Sequence, residues 1–188
     1  MEILLSKNAG FCPGVRRAAD AVKRLISERR ENGLIFTIGP LIHNSSYISS
    51  LEAEGVYSVD ISNVASIIDS NPDKDITFVI RTHGISLGDG EYLRALEKEN
   101  PRVKIVDMTC PSVKRIHDIA IKETNENSFF LLYGSKTHPE SVATISYAKG
   151  TSAIISSEEE LLNTDFQGKT PILCAQTTGN FLQFIQKN

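Results

Sequence analysis

Apolar positions along this chain of 188 residues alternate between two rhythms. Short runs rich in Ile, Val and Phe, bounded by Gly, Pro or Asn, predict strands over 2–5, 34–38, 56–57, 76–80, 103–106, 128–133, 152–155 and 171–175. Between them the apolar residues recur at helical spacing. Val15, Ala18, Ala19, Val22, Leu25 and Ile26 form one such stripe, and a proline stands at its first turn. Helices are predicted over 13–30, 45–54, 62–69, 87–99, 111–122, 139–148, 158–162 and 180–186. Gly55, Asn71-Pro72 and Asn100-Pro101 interrupt the helical patterns. Regular β–α alternation predicts an α/β fold of mainly parallel sheets flanked by helices.

An apolar content of 40% is ordinary for a packed core. A formal charge of −3 leaves no basic footprint for nucleic acid. The longest apolar run, 129–133, is too short to span a bilayer, and the first ten residues lack a signal-peptide pattern. A soluble, cytoplasmic protein with no nucleic-acid or membrane partner is therefore expected. The three cysteines, at 12, 110 and 174, form no CxxC pair, which argues against a zinc ribbon or a dithiol redox motif.

The order of motifs repeats. "CPGVRRAAD" from Cys12 to Asp20 matches "CPSVKRIHD" from Cys110 to Asp118, 98 positions later. His43 in "GPLIH" and His138 in "GSKTH" each follow the second strand of their copy, 31 and 28 residues after the cysteine. Thr82-His83 in "IRTHG" and Thr177-Thr178 in "CAQTTG" close the two series. The chain thus reads as two pseudo-symmetric lobes, 1–100 and 101–188. All these landmarks lie just past the carboxyl ends of predicted strands, the edge at which open α/β sheets bind ligands.

A cysteine at a helix amino terminus is favoured as thiolate. Alone it suits a ligand, a nucleophile or a small apolar filler. Matched thiols on two related lobes favour a metal role for Cys12 and Cys110. His43, His83 and His138, with the nearby threonines, offer donors and positive charge suited to diphosphate oxygens. Glu140, in the first turn of its helix, suits helix stabilisation or proton delivery. Cys174 is expected as a buried strand residue, and His117, mid-helix, on a helix surface.

"GFCPGVRRA", "LIHN", "RTHGIS", "DMTCPSVKRIH", "THPE" and "AQTT", in this order, closely resemble the LytB/IspH family of 4-hydroxy-3-methylbut-2-enyl diphosphate reductases, over essentially the whole chain. The resemblance implies an iron–sulfur enzyme of the non-mevalonate isoprenoid pathway that removes the hydroxyl of an allylic diphosphate with two electrons and protons. It implies Cys12 and Cys110 as ligands of a [4Fe-4S] cluster and His43, His83 and His138 around the substrate diphosphate. Glu140 would feed the proton, with Thr177 beside the substrate hydroxyl, and a ferredoxin or flavodoxin would donate electrons.

Family members have three lobes, each giving one cysteine. This chain carries two, and Cys174 precedes the "QTT" motif rather than standing at the third-ligand position. The resemblance therefore implies weak cluster binding and little turnover by this chain alone, and a polypeptide that supplies the third lobe is one partner it leaves open. A fragment, a diverged paralogue and half of a split enzyme all fit. The rival reading is a non-catalytic module that binds a diphosphate or a partner. A mononuclear metal hydrolase fits poorly, for want of close ligand spacing.

Overall fold

The computed structural model describes Leu4 and residues 10–178. The strand predicted over 2–5, Leu4 apart, and the helix predicted over 180–186 lie outside the described residues.

Two parallel sheets organise the chain. The first half runs α1 (Pro13–Ser27), β1 (Gly33–Ile38), α2 (Ser45–Ala53), β2 (Val56–Val59), α3 (Val64–Ser70), β3 (Asp75–Ile80), α4 (Leu87–Glu99) and β4 (Val103–Asp107). The second runs α5 (Pro111–Glu123), β5 (Ser128–Tyr133), α6 (Pro139–Ile145), β6 (Thr151–Ile155), α7 (Glu158–Leu162) and β7 (Thr170–Ala175). The sheet orders are β2-β1-β3-β4 and β6-β5-β7, all pairs parallel. The predicted α/β class with parallel sheets is the one observed.

Period-two alternation decides which side of the first sheet each residue faces. Ile76, Phe78 and Ile80 of β3 pack with Val64 and Ile68 of α3 and Leu93 of α4. Ile35 of β1 and Val79 of β3 face the other way, onto Ala18 and Val22 of α1 and Leu51 of α2. Phe36 and Phe78, paired across β1 and β3, stack with ring centroids 5.8 Å apart. In the second sheet, Phe130 and Leu132 of β5 meet Ala120 of α5, and Phe129 and Leu131 face Leu161 and Phe166.

One strand departs from its expected sheet. The motif order places residues 103–106 at the start of the second lobe, but β4 pairs with β3, Phe78 opposite Ile105. The connection through α4 lays it beside the strand it left, as a β–α–β unit does. Its apolar pattern could not indicate the sheet, since an edge strand looks the same on either. Helix ends differ more modestly. α1 stops at Ser27, before the charged 28–32 segment, and α6 stops at Ile145.

The halves join through hydrogen bonds as well as packing. The Tyr147 hydroxyl donates to the Ile85 carbonyl at 3.1 Å, and the Leu87 N–H donates to Ser146 Oγ at 2.9 Å. Among the described residues no helix is long and apolar enough to cross a membrane.

Candidate functional site

Apart from Cys12, which begins α1, and Glu140, in the first turn of α6, the candidate residues lie in the loops after β1, β3, β4, β5 and β7. Leu41 and Ile42 are buried, which leaves His43 exposed at the end of the post-β1 loop. Thr82 ties the post-β3 turn to that loop, donating through N–H and Oγ1 to the Leu41 carbonyl at 3.4 and 3.1 Å. The turn then passes through Gly84, at φ 74°, a left-handed conformation suited to glycine. A Cβ there would also stand 3.0 Å from His117 Cε1. His83 is held between these anchors.

The three histidines converge from both halves. Ring centroids are 4.6 Å apart for His43 and His83, 5.6 Å for His43 and His138, and 5.1 Å for His83 and His138. One nitrogen from each lies within 4.8 Å of the others. Burial pushes the His83 pKa down to about 4, and His43, His138 and Arg81 add to the shift. His83 is therefore neutral at pH 7, and its buried Nδ1 has no hydrogen-bond partner among the described residues. His138 is also held below its ordinary pKa by burial, against the opposing pull of Glu140. Its ring caps α6, Nδ1 accepting the Glu140 N–H at 3.2 Å. In the neutral ring that bond puts the proton on Nε2, making the free nitrogen a donor. A donor suits an oxyanion better than a metal ion.

Glu140 is 1% exposed. Its Oε1 accepts the Thr177 N–H at 2.6 Å and its Oε2 accepts the Thr177 hydroxyl at 2.8 Å. The carboxylate on α6 and the threonine after β7, 37 residues apart in sequence, thus form one unit.

Cys12 and Cys110 are the N-caps of α1 and α5, each followed by proline, and neither sulfur makes a capping bond. Both are free thiols. The Cys110 N–H donates to the Thr82 carbonyl at 2.9 Å, fixing the thiol turn beside the His83 turn. A Cβ built on Gly14 would lie 2.7 Å from Cys110 Sγ. The Cys110 sulfur therefore rests on the first turn of the helix that Cys12 begins.

Three further residues shape the site. Arg81, directly before Thr82-His83, is a half-buried cation whose charge reaches His83 and His138, and burial lowers its own pKa. Its place in the "IRTHG" motif was the available signal. Arg17 sends Nη2 to the Thr109 carbonyl at 2.6 Å, bracing the turn before Cys110. His117 corrects the helix-surface expectation. It is 5% exposed, stacked on Tyr147 with centroids 3.9 Å apart, and burial drives its pKa to about 4. Val113, His117 and Ala120 are all buried, so the i, i+4, i+7 spacing had placed it on the inner stripe. Cys174 is half-buried in β7, and burial raises its thiol pKa.

The profile of the LytB protein family matches residues 3–186. The chain is 38% identical over 186 residues to a 4-hydroxy-3-methylbut-2-enyl diphosphate reductase of Helicobacter pylori strain Shi470, covering 99% of this chain and 61% of that protein. It is 37% identical over 175 residues to the protein of the same name from Treponema denticola, covering 90% and 57%. A solved structure of (E)-4-hydroxy-3-methyl-but-2-enyl diphosphate reductase, the terminal enzyme of the non-mevalonate pathway, superposes with a TM-score of 0.74 at 30% identity, covering 98% of this chain and 61% of that one. The Plasmodium falciparum reductase shares the fold, with a TM-score of 0.72 at 24% identity over 96% of this chain. The chain spans about three fifths of the length of the curated relatives it matches. With its two parallel sheets, its repeated cysteine turns and a match along nearly its whole length, the chain belongs to the LytB family.

Proposed function

We propose that this chain forms two of the three lobes of a reductase that removes the hydroxyl group of 4-hydroxy-3-methylbut-2-enyl diphosphate, giving isopentenyl and dimethylallyl diphosphate. The observation that carries the proposal is the meeting of His43, His83 and His138, drawn from both halves, beside a buried carboxylate and a thiol turn. The names and lengths of the relatives support it.

The histidines would hold the diphosphate, with His138 donating from Nε2 and Arg81 adding positive potential behind the rings. Once protonated, Glu140 would donate from Oε2 to the Thr177 hydroxyl oxygen, its partner at 2.8 Å, as Thr177 passes its own proton to the departing substrate hydroxyl, which leaves Glu140 as the carboxylate. Cys12 and Cys110 suit two ligand positions of an iron–sulfur cluster, since both sulfurs are free, uncapped and at helix starts that meet at Gly14. Such a cluster, when bound, supplies the two electrons of the reduction, delivered by a ferredoxin or flavodoxin. The third cysteine and the remaining pocket wall would come from the third lobe.

Anaerobic reconstitution with iron and sulfide tests this reading. The 188-residue chain alone should hold less than one stable cluster and show little turnover. Adding a third-lobe polypeptide should restore a brown protein that reduces the allylic diphosphate. A complemented protein that holds zinc at the three histidines and stays colourless would refute the proposal.

The rival, a binding module without redox chemistry, needs the histidine face alone. It predicts diphosphate binding that is indifferent to Cys12→Ala and Cys110→Ala even in the complemented protein. The redox reading predicts that either substitution abolishes turnover.

A further inference from the structure

Two rungs tie the turn after β7 to the first turn of α6. One is the Glu140–Thr177 pair. The other stands one residue further along α6 and one residue earlier in the turn. Ser141 Oγ donates to Gln176 Oε1 at 3.0 Å, and the Ser135 N–H donates to the same oxygen at 3.0 Å. A backbone N–H can only donate, so the atom it meets is the amide oxygen and the Gln176 NH2 is turned the other way. There Nε2 donates to Thr178 Oγ1 at 2.6 Å. The main chain adds an anchor, the Gln176 N–H on the Tyr133 carbonyl at 2.8 Å. One residue thus bonds the loop after β5, the start of α6 and the neighbour of Thr177.

Ser141 is 0% exposed and Gln176 is 8% exposed, so losing any of these bonds would strand a buried polar group. The chain makes room for the amide at Gly134. That glycine does not take a left-handed φ, so its backbone conformation does not demand glycine. The contacts do. A Cβ there would stand 2.8 Å from Gln176 Oε1 and 2.9 Å from both Gln176 Cβ and Ser141 Oγ. The first half uses the same place with unlike chemistry. β1 ends against β3 at Ile38 and Ile80, and β5 ends against β7 at Tyr133 and Ala175, so Gly39 and Arg81 stand where Gly134 and Gln176 stand. A Cβ on Gly39 would lie 2.5 Å from Arg81 Nη1. The first half fills this place with a cation, whereas the second fills it with an amide that brings no charge up to the buried Glu140.

We propose that Gln176 is a positioning residue for the Glu140–Thr177 pair. Its amide clamps the turn after β7 onto α6 and so holds the Thr177 N–H and hydroxyl against the carboxylate. Ser141 is its partner on the helix, and Gly134 supplies the space. The inference rests on the proton path assigned above to Glu140 and Thr177, and it names the residue that keeps the two in register.

Amide hydrogen exchange of the 188-residue chain tests it, read by NMR. The Thr177 N–H, bonded to a buried carboxylate, should exchange slowly in the parent chain. Gln176→Leu, close in size and without a polar atom, should speed it at least about tenfold more than it speeds Leu131 in the middle of β5. Ser141→Ala should act in the same direction to a smaller extent, and serves if the leucine variant misfolds. The double variant should exceed Gln176→Leu alone by less than about twofold, because both side chains belong to one hydrogen-bond network. In the protein complemented with a third-lobe polypeptide, Ser141→Ala should lower kcat about fivefold and leave KM within about twofold. Unchanged Thr177 exchange in both variants, equal acceleration at Thr177 and Leu131, or a raised KM with kcat intact would each overturn the inference. Local release of Thr177 in a complemented parent protein that never reduces the allylic diphosphate would uphold the clamp and count against the proposed reaction instead.

Discussion

Gly14 lacks a side chain where a sulfur needs the room. A methyl group there would sit 2.7 Å from Cys110 Sγ, closer than packed atoms allow. Gly14→Ala should destabilise the fold by about 1–3 kcal/mol or displace the thiol. A lower urea midpoint and faster alkylation of Cys110 are the expected signs, and unchanged values of both would show that the turns do not meet. Thr177 is a second case of one residue serving another. Thr177→Val removes the donor to Glu140 Oε2 and should cost roughly 1–3 kcal/mol, because that carboxylate is 1% exposed. Thr177→Ser should recover most of the loss in the same unfolding assay. The histidines stood out in the sequence because they fall at strand ends in a repeated order, and Glu140 because it follows His138 at a helix start and matches a family motif. Arg81 and His117 have no equivalent in the other copy, and burial, which sequence order does not report, sets their chemistry.

At the scale of elements, α6 shows how one residue can serve fold and site together. His138 caps the helix through Nδ1 while its ring lies against the other two histidines. His138→Asn should keep the cap and lose the ring, so inorganic pyrophosphate binding measured by calorimetry should weaken while thermal stability holds. His138→Ala should lose both, with stability falling by about 1 kcal/mol. If the two variants bind and melt alike, the ring has no role beyond the cap. Helix and strand identities were mostly legible because periodicities of 3.6 and 2 reflect which side is buried. The partner of β4 was not, since hydrogen-bonding neighbours are chosen by the path of α4 and leave no periodic trace.

For the molecule as a whole, acid sensitivity follows from the buried histidines. Burial lowers His83 and His117 from an ordinary 6.5 to about 4. The unfolded chain therefore takes up protons below pH 6.5 that the folded chain refuses. Stability should be flat above that value and fall steadily between pH 6.5 and about 4. Asp107 contributes in a lower window. Burial pushes its pKa up, but bonds from Lys114 and Thr109 outweigh that and hold it below 3.8. Urea midpoints at pH 7.5 and 5.0 should differ, and His117→Phe should shrink the difference; equal midpoints in the parent chain would contradict the burial of both rings. The sequence by itself determined the α/β class and the duplication and nominated the cysteines, histidines, Glu140 and Thr177 as candidates, because local periodicity and motif order are written in residue order. Only the tertiary structure decided that β4 belongs to the first sheet, that Cys110 rests on Gly14, and that three histidines from two halves meet. Those outcomes depend on which surfaces pack together across long stretches of chain, and no local pattern encodes that choice.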